Sequence, residues 1–539
     1  MVIVVALHPD RGIDGSAWRF LALMLAATAV FLLGAFWLRS SNQVPDDAFI
    51  TLRYATHVAE GLGPRFNPGG DLIEGFSSPL HMLLLAGALK LGAEPLVASQ
   101  LSSLVPALMC VWLLVWWAPR RLGWFWGTLA TLALAANPAL WAWSRGGLET
   151  ALCTLLILSA MITAEARRWR VLATIGGLIA LTRPEGVLYW FPILSWTAVV
   201  SRRGGQGWRP ALAMFGLMMA MVLPWFVFRV AAFHDILPNT YYAKMDGVRL
   251  ALVWRGLEYL GGFLGRSEIL LPALLAGLYL VVTLCHQRLG RTVAWPGWVV
   301  LCLAFVLPAA VFVLSAGGDH MVHYRFLLPA VPLILLLGAW GGRRLQALIT
   351  RRPARELATI VLVFLFCSQP LRILSHELRH PTYPLDRPVG LVEPFDDGGI
   401  ISCYRLGLVL RESVPPETTL AVVPAGALPY ASGLQCIDML GLNDREIARQ
   451  RVDTIGQGYM AHEKGDGRLV LARKPDLILL HNLPEPRHEG AVEPTADDFR
   501  FVPIVQIWRD PEFARTYQPV VVEIDSSLAF TLYRRMNGL

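Results

Sequence analysis

Two adjacent carboxylates, Asp46 and Asp47, open the stretch of this 539-residue chain whose residue types are best suited to chemistry. The apolar residues of 49–60 recur at helical spacing, which places both acids at the N-terminus of a predicted helix. The helix dipole favours carboxylates there, so an ordinary helix cap explains the pair, taken alone, better than catalysis does. A carboxylate can also take the proton of an attacking hydroxyl, which would make this position a general base.

The residues after this helix form a turn-rich loop that ends directly in an apolar run. Its blocks are GLG at 61–63, FNPGG at 66–70 and EGFSSP at 74–79. Acids and glycines at a membrane surface suit a sugar or phosphate site. A folded loop that binds nothing is the alternative.

Four further loops carry polar groups at the ends of apolar runs. They contain Glu149 in 146–150, Arg183 and Glu185 in 181–186, Asn239, Tyr241 and Lys244 in 237–244, and Asp319, His320 and Arg325 in 317–326. Each loop alone is typical of a helix cap with a snorkelling cation. All of them fall on one predicted side of the membrane, however, so a convergent site explains them better than independent caps.

Asp319, His320 and His323 have a spacing that could hold a metal ion. Two histidines three residues apart in a loop are more often structural, so this pattern predicts no metal site. The chain also has no Cys/His zinc spacing, Walker glycine loop, GxSxG motif or dinucleotide fingerprint. These absences disfavour an ATP-driven pump.

The elements that position these loops are apolar runs, at whose ends the loops lie. Apolar residues dominate the composition, since 55% of the residues are hydrophobic and only 16% are charged. The mean hydropathy is +0.49. A membrane-spanning helix needs about 20 apolar residues, and runs of roughly this kind recur from Trp18–Leu38 to Leu357–Gln369. A dozen such runs in succession predict a polytopic membrane protein. The first run lacks the flanks of a cleaved signal peptide and is interpreted as a retained anchor.

The positions of the basic residues predict how the chain is oriented. Arginine pairs lie at 120–121, 202–203 and 343–344, whereas the loops between them, which include 233–266, are acidic or mixed. Basic loops face the cytoplasm, so the polar loops described above are expected outside. Two runs, Pro79–Leu91 and Leu96–Trp117, lie between the outer loop that ends near residue 78 and the basic pair at 120–121. A chain that passes from one side of the membrane to the other must cross an odd number of times, so one of these two runs is expected to be partial. This gives about 11 crossings, or 13 if a division is missed.

The tail, residues 376–539, has a different composition and is expected to be a soluble α/β domain outside the membrane. It holds 23 of the 40 acidic residues but only 17 of the 47 basic ones. Alternating segments predict strands at Thr419–Val423, Pro475–Leu480, Val520–Ile524 and Phe530–Arg534. Cys403 and Cys436 could form a disulfide there, but their spacing does not decide it. The net charge of +7 therefore arises from cytoplasmic loops and indicates topology, not nucleic-acid binding.

Several blocks resemble the GT-C glycosyltransferases, most closely the AftB-type terminal arabinofuranosyltransferases. The blocks are DDAFITLRYA and GLGPRFNPGGDLIEGFSSPL in the first outer loop, then GGLETAL, LTRPEG, LPNTYYAK and GGDHMVHYRFLLPAVPL, and IDMLGLNDREIAR and HEKGDG…KPDLIL in the tail. They occur in order over most of the chain, which makes the resemblance more specific than any single motif.

The resemblance implies a GT-C-like bundle of about 11 to 13 helices in residues 1–375, with an outer loop at 40–78, and an extracytoplasmic α/β domain at 376–539. It implies inverting arabinofuranosyl transfer from decaprenyl phosphate to an outer glycan or protein at a bacterial inner membrane. The donor is a polyprenyl-phosphate sugar, with no nucleotide and no cofactor, and a divalent cation is left open. The tail is shorter than expected for the cell-wall enzymes, which leaves a polysaccharide acceptor open.

The resemblance also implies residue roles. Asp46 matches the position of the catalytic base, and Asp47, Glu74 and Glu149 match acids near the donor or acceptor sugar. Candidates for the lipid phosphate are Arg183, Lys244 and Arg325. The other polar residues of these blocks are expected to bind substrate: Arg53, Tyr54, Glu185, Asn239, Tyr241, Asp319 and His320.

Two other functions are weighed against this one. A lipid-linked-sugar flippase or secondary transporter would place polar residues near the bilayer midplane and show internal repeats, and neither pattern is evident. A glycan-binding scaffold would use the polar tail block as its binding module, although capping and docking explain that block equally well. The block comprises Asp438, Asn443, Asp444, His462, Glu463 and Lys464.

Overall fold

The structure is a computed structural model, and it describes most of the chain. The described residues are 15–37, 44–245, 250–288, 294–364, 399–452, 455–456, 458–460, 462–481, 483–486, 490–495, 498–526 and 528–536. The predicted domain boundary at 375/376 lies outside them.

The described residues of 15–364 are mostly helical. The helices are α1 (Gly15–Trp37), α2 (Asp46–Ala59), α3 (Pro79–Lys90), α4 (Pro95–Leu122), α5 (Trp124–Ala135), α6 (Pro138–Arg145), α7 (Thr150–Glu165), α8 (Trp169–Thr182), α9 (Trp190–Arg203), α10 (Arg209–Phe228), α11 (Asn239–Lys244), α12 (Leu250–Gly265), α13 (Ser267–Arg288), α14 (Gly297–Ala316) and α15 (Val331–Gln346). A further helix, α16, covers 352–364. Short 3₁₀ segments lie at Pro184–Tyr189 and Val322–Ala330, and a π-helical turn, Arg229–Phe233, extends α10.

Among the described residues, six helices are long and apolar enough to cross a membrane. They are Ser16–Phe36, Pro95–Leu122, Arg209–Phe233, Glu268–Arg288, Gly297–Ala316 and His323–Gln346. The shorter apolar helices are α3, α5, α7 and α8. At 12 residues, α3 extends only about 18 Å and cannot cross roughly 30 Å of hydrocarbon. This length agrees with the expectation that one of the two runs after the first outer loop is partial.

The structure divides one predicted run and adds a helix where a loop was expected. The run Trp124–Trp141 breaks at Asn137, whose side chain accepts hydrogen bonds from the N–H groups of Ala139 and Leu140 and so caps α6. The interval 233–266, interpreted from its mixed charge as an outer loop, contains α12 packed on α14. Gly256 permits this packing, since a Cβ there would lie 2.5 Å from the Val313 carbonyl oxygen.

The tail forms a mixed sheet flanked by helices, as expected. The strands are β1 (Thr419–Val422), β2 (Gln435–Asp438), β3 (Leu477–Ile478), β4 (Glu485–Pro486), β5 (Tyr517–Glu523) and β6 (Leu528–Arg535), and the main helices are α17 (Ile400–Ser413), α18 (Ala427–Ser432), α19 (Arg445–Ala448), α20 (Gly467–Ala472), α21 (Val502–Trp508) and α22 (Pro511–Thr516). Strand β1 pairs in parallel with β2 and β3, and β6 pairs antiparallel with β3, β4 and β5. Four of these strands match the predicted segments.

The tail has a core of its own and also shares one with the helical part. Ile478 and Ile504 belong to a cluster confined to the tail. On the opposite side, Phe49 of α2 packs against Tyr404 and Tyr430 at ring distances of 5.7 and 5.8 Å. Cys403 and Cys436 are not joined by a disulfide, so the pairing left open by the sequence is not formed. The predicted class, a polytopic α-helical membrane protein with a C-terminal α/β domain, is confirmed in these features.

Candidate active site

Helix α2 directs its two N-terminal carboxylates into different surroundings. Asp46 faces the tail, where the N–H groups of Gly426 and Ala427 donate to its two oxygens at 2.7 Å each. A Cβ at Gly426 would lie 2.0 Å from the Asp46 carbonyl oxygen, so only glycine allows this approach. Burial raises the pKa of Asp46 to about 6, although these hydrogen bonds oppose the increase.

Asp47 instead faces cations from the helical part. Its Oδ2 lies 3.7 Å from Lys244 Nζ and 3.8 Å from an Arg325 guanidinium nitrogen. Burial alone would raise the pKa of Asp47, but the positive charges of Lys244 and Arg325 outweigh it and lower the pKa to about 2. Asp47 therefore stays ionised at any physiological pH.

A cavity of about 150 Å³, here called the cation cavity, brings most of the predicted site residues together. It is lined by Asp47, Glu149, Arg183, Glu185, Tyr241, Lys244, Asp319, His320 and Arg325, and also by Arg255. The loops that were expected on one side of the membrane thus meet around one volume. Both positive and negative groups lie in its wall.

The extended backbone at the end of α8 positions Arg183 at the cavity. Arg183 follows α8 and precedes Pro184, which favours an extended backbone, and its φ and ψ are −150° and 144°. Its Nε lies 2.6 Å from Glu185, and another guanidinium nitrogen lies 3.7 Å from Glu149. Within the described residues that second nitrogen is buried without a hydrogen-bond partner. It can therefore donate to a ligand.

The loop after α14 supplies the opposite wall. Arg325 Nε donates to Asp319 at 2.9 Å, and the Tyr259 hydroxyl donates to the other oxygen of Asp319 at 3.0 Å. His323 and Tyr324 have φ values of 58° and 52°, which non-glycine residues rarely adopt. Strain of this kind costs about 1–3 kcal/mol per residue and clusters at functional sites.

A second cavity, here called the interdomain cavity, lies between α2, the loop after α14 and the tail. Its volume is about 660 Å³. Asp46 lines it, together with Trp143 and tail residues that include Tyr459 and His481. Asp47 and His320 line both cavities, so the two volumes adjoin at these side chains.

Three predicted substrate-binding residues dock the tail instead of facing the cation cavity. Arg53 donates to the carbonyl oxygens of Pro429 and Leu434 in the tail. The Tyr54 hydroxyl donates to Asn443 Oδ1 at 3.1 Å. The Asn239 amide donates to the carbonyl oxygens of Gly441 and Leu442 at 2.9 Å. The block around Asp438 is likewise structural in part, because the Asp438 carboxylate accepts three backbone N–H groups of its own turn.

Glu74 also lies outside both cavities. It is 2% exposed and pairs through both oxygens with Arg229, at the π-helical turn that ends α10. Its carbonyl oxygen accepts the Asn239 N–H at 2.9 Å. Glu74 thus anchors the first outer loop to the helices around the site.

Sequence reasoning missed two arginines near the site. Arg229 lies inside an apolar run, and an ionisable residue in such a run is itself a signal for function. Arg255 lies on α12, in the interval interpreted as a loop, and its charge therefore drew no attention. It lines the cation cavity and pairs with Glu463 of the tail at 3.1 Å.

The residues do not gather as a metal site. Among the described residues, no group of three His, Cys, Asp or Glu side chains could hold a metal ion. Asp319 is occupied by Arg325 and Tyr259, while the His320 ring lies 4.8 Å from the His462 ring.

Comparison with known proteins relates the whole chain to one solved fold. Crystal structures of ArnT from Cupriavidus metallidurans match in the apo state (TM-score 0.54, 14% identity, 96% of this chain and 98% of that chain) and bound to undecaprenyl phosphate (0.55, 13%, 97% and 99%). The Archaeoglobus fulgidus oligosaccharyltransferase matches less well (0.47, 8%, 79% and 64%). ArnT is a GT-C protein, so the expected GT-C-like fold is confirmed.

Sequence comparison adds little about activity. Residues 400–533 match a domain of unknown function, DUF8728, which lies within the tail. No curated protein sequence matches the chain.

Proposed function

We propose that the chain is a membrane glycosyltransferase that transfers a sugar from a polyprenyl phosphate to an acceptor hydroxyl. The observation that carries this proposal is the convergence of Arg183, Lys244 and Arg325 on one cavity beside Asp47. The fold supports it, because ArnT shares this fold and has been solved with undecaprenyl phosphate. Membrane-spanning helices beside the cavity would hold the prenyl chain.

The cations fit the departure of a lipid phosphate. When the bond from the anomeric carbon to the phosphate oxygen breaks, its electron pair stays on that oxygen and charge develops there. Lys244 and Arg325 lie 3.7 and 3.8 Å from Asp47, beyond the 2.7–3.2 Å of a usual N–H···O hydrogen bond. The Lys244 ammonium and the Arg325 nitrogen that faces Asp47 are therefore only loosely paired with it and could turn to a phosphate, while Arg325 Nε stays bonded to Asp319.

Asp46 is proposed as the base. Its pKa of about 6 is close to neutral pH, which favours proton transfer, whereas Asp47, with a pKa of about 2, accepts protons poorly. The acceptor oxygen would attack the anomeric carbon while its proton passes to Asp46. One base suffices for a single displacement with inversion, because only a retaining reaction needs a carboxylate nucleophile.

The finer parts of the proposal rest on the resemblance to AftB-type enzymes and on charge placement. We propose arabinofuranose as the donor sugar and an outer glycan or protein as the acceptor. We also place the site and the tail on the outer face of a bacterial inner membrane, because the arginine pairs lie in the other set of loops.

The test is transfer by the purified full-length chain and its Asp46→Asn variant, in nanodiscs with decaprenyl-phosphate arabinose. We expect the variant to bind the donor but to lose transfer by at least about 100-fold, since general-base catalysis contributes 10²–10⁴-fold. Formation of the new glycosidic bond is followed by mass spectrometry, with EDTA added in a parallel series.

The matched control is Asp71→Asn, which changes an exposed acid of the same outer loop and should retain transfer. Near-normal turnover in Asp46→Asn would rule out the base assignment. Movement of the donor into sealed vesicles without a new glycosidic bond would favour transport over transfer.

A further inference from the structure

We infer that the interdomain cavity is the acceptor site and that it binds a saccharide, recognised by the tail through Tyr459, His462 and the His481–Asp498 pair. The inference rests on the proposed function, because it assigns the acceptor side of that same reaction. Nothing in the sequence motifs singled out His481 or Asp498, and the resemblance assigned no role to Tyr459.

The cavity has the form of a small-ligand site. Its volume of about 660 Å³ lies within the roughly 300–1,000 Å³ of ligand pockets. Such pockets have mostly apolar walls with a few fixed polar groups. Here Val423, Leu440 and Leu442 supply apolar wall, and Asp46 stands at the end shared with the cation cavity.

The His481–Asp498 pair is a rigid polar group in the cavity wall. His481 Nδ1 lies 2.5 Å from Asp498 Oδ2, which also accepts the Thr495 N–H and hydroxyl at 2.8 Å. The two side chains are 7% and 5% exposed. Burial opposes ionisation of Asp498, but these hydrogen bonds outweigh it and lower its pKa. The carboxylate at Nδ1 fixes the orientation of the imidazole, which lines the cavity as a polar group for a hydroxyl-bearing ligand.

Aromatic rings form the neighbouring wall. The rings of Tyr459, His462 and Phe501 lie 5.2 to 6.1 Å apart, and His320 joins them from the helical part at 5.3 Å from Tyr459. The electron-rich faces of such rings attract the C–H groups on one face of a sugar ring. The Arg500 guanidinium stacks 4.7 Å from the Tyr459 ring centre and presents further donors at the cavity.

The charge of the cavity favours a neutral saccharide over an acidic ligand. Burial lowers the pKa of His462 to about 4, so this ring is uncharged at neutral pH. Asp46, Asp47 and Asp498 contribute three carboxylates to the wall against the single guanidinium of Arg500, so an acidic ligand would meet a net negative wall. A hydroxyl-bearing ligand can donate to these carboxylates without a charge of its own.

The position of the cavity matches its proposed role. A cation cavity that holds the donor and an interdomain cavity that holds the acceptor would meet at Asp47 and His320. Asp46 lies on the acceptor side of this junction, where a base must be to receive the proton of the attacking hydroxyl.

The experiment measures where and how strongly a saccharide binds the full-length chain in nanodiscs without donor. The probe is a diazirine-bearing arabinofuranosyl trisaccharide, compared with a mannosyl trisaccharide and a diazirine-bearing pentapeptide. We expect a saccharide to label peptides that contain 458–460 or 498–501, as mapped by mass spectrometry. His481→Ala and Tyr459→Ala should each weaken its binding at least tenfold.

Two variants separate binding from folding. Tyr459→Phe keeps the ring and should bind nearly as well as the wild type, whereas His286→Ala removes a partly exposed histidine at the end of α13 and should change nothing. Labelling by the pentapeptide alone, labelling outside the cavity, or unchanged affinity in both alanine variants would overturn the inference. If affinity is unchanged in those variants but Asp46→Asn loses transfer, the acceptor site is wrong and the function stands. If saccharide binding depends on His481 and Tyr459 but no donor supports transfer, the function is wrong and the site stands.

Discussion

At the scale of single residues, the adjacent aspartates differ because consecutive positions on a helix point about 100° apart. Asp46 meets backbone N–H groups of the tail, and Asp47 meets Lys244 and Arg325. Their pKa values consequently move in opposite directions, to about 6 and about 2. Two like groups whose surroundings separate their pKa values are well suited to different roles.

The raised pKa of Asp46 predicts the pH dependence of transfer. A base must be ionised, so activity should be full above about pH 7 and should fall about tenfold per pH unit below about pH 6. Asp47 contributes no limb in this range, since its pKa lies near 2. The measurement is kcat/KM for the donor between pH 4.5 and 8.

Asp46→Glu is the informative variant for this profile. A longer side chain cannot keep both hydrogen bonds from Gly426 and Ala427, so the acid limb should shift while some transfer is retained. A wild-type limb near pH 4, or an unchanged limb in Asp46→Glu, would assign the titration to another group.

The sequence predicted which loops converge, but not which of their residues face the ligand. Lys244 and Asn239 are only five positions apart, yet one lines the cation cavity and the other donates to the tail backbone. Arg53 was likewise expected to bind substrate because it belongs to one of these polar blocks, but it donates to backbone carbonyls of the tail. The tail is far away in sequence, so its docking surface could not be inferred from the loops that it covers.

At the scale of elements, α2 and the first outer loop form the surface on which the tail docks. Arg53 is 2% exposed and donates to Phe66 O at 2.6 Å within the loop and to Leu434 O at 2.8 Å within the tail. The Asn67 side chain pairs with both the N–H and the carbonyl of Cys436. These contacts place the wall of the interdomain cavity.

Arg53→Met should weaken the docking of the tail on α2 and the first outer loop. The substitution leaves buried carbonyl oxygens without donors, each at about 1–3 kcal/mol. Since 1.4 kcal/mol corresponds to a factor of ten, we expect at least tenfold faster hydrogen exchange at Gly426, Ala427 and Cys436, whose amides are bonded across the interface.

The control for this variant is Arg405→Met, which removes an exposed ion pair to Asp525 within the tail. Exposed pairs contribute about 0–1 kcal/mol, so exchange at the three amides should change little. Equal exchange in both variants would mean that Arg53 does not hold the tail.

Elements were predictable where the composition was uniform. Long apolar runs became helices, and alternating segments became β1, β3, β5 and β6. Helix α12 was missed because its glycines and charged residues resemble a loop, although one of these glycines, Gly256, serves close packing on α14. Strands β2 and β4 are short, and β4 has two residues, so no alternation was visible.

At the scale of the whole molecule, the site is complete only with the tail in place. The tail supplies the donors to Asp46, the partner of Arg255 and much of the interdomain cavity. The outer loops and the tail must therefore lie on one side of the membrane, and the charge pattern predicts that the arginine pairs lie on the other. The positive-inside rule then predicts which side is which.

Accessibility of single cysteines should reveal this arrangement. The matched pair is Arg515→Cys on α22 of the tail and Arg203→Cys at the end of α9, both at exposed positions. In a Cys285→Ser, Cys367→Ser background, a membrane-impermeant maleimide added to sealed right-side-out vesicles should label Arg515→Cys. It should label Arg203→Cys only after detergent is added, because that loop carries the basic residues retained in the cytoplasm.

The background protein without either new cysteine sets the unspecific level, since its other cysteines in the described residues are buried. Labelling of Arg203→Cys in sealed vesicles, with Arg515→Cys protected, would show that the topology is the opposite of the predicted one. The proposed site would then lie on the cytoplasmic face.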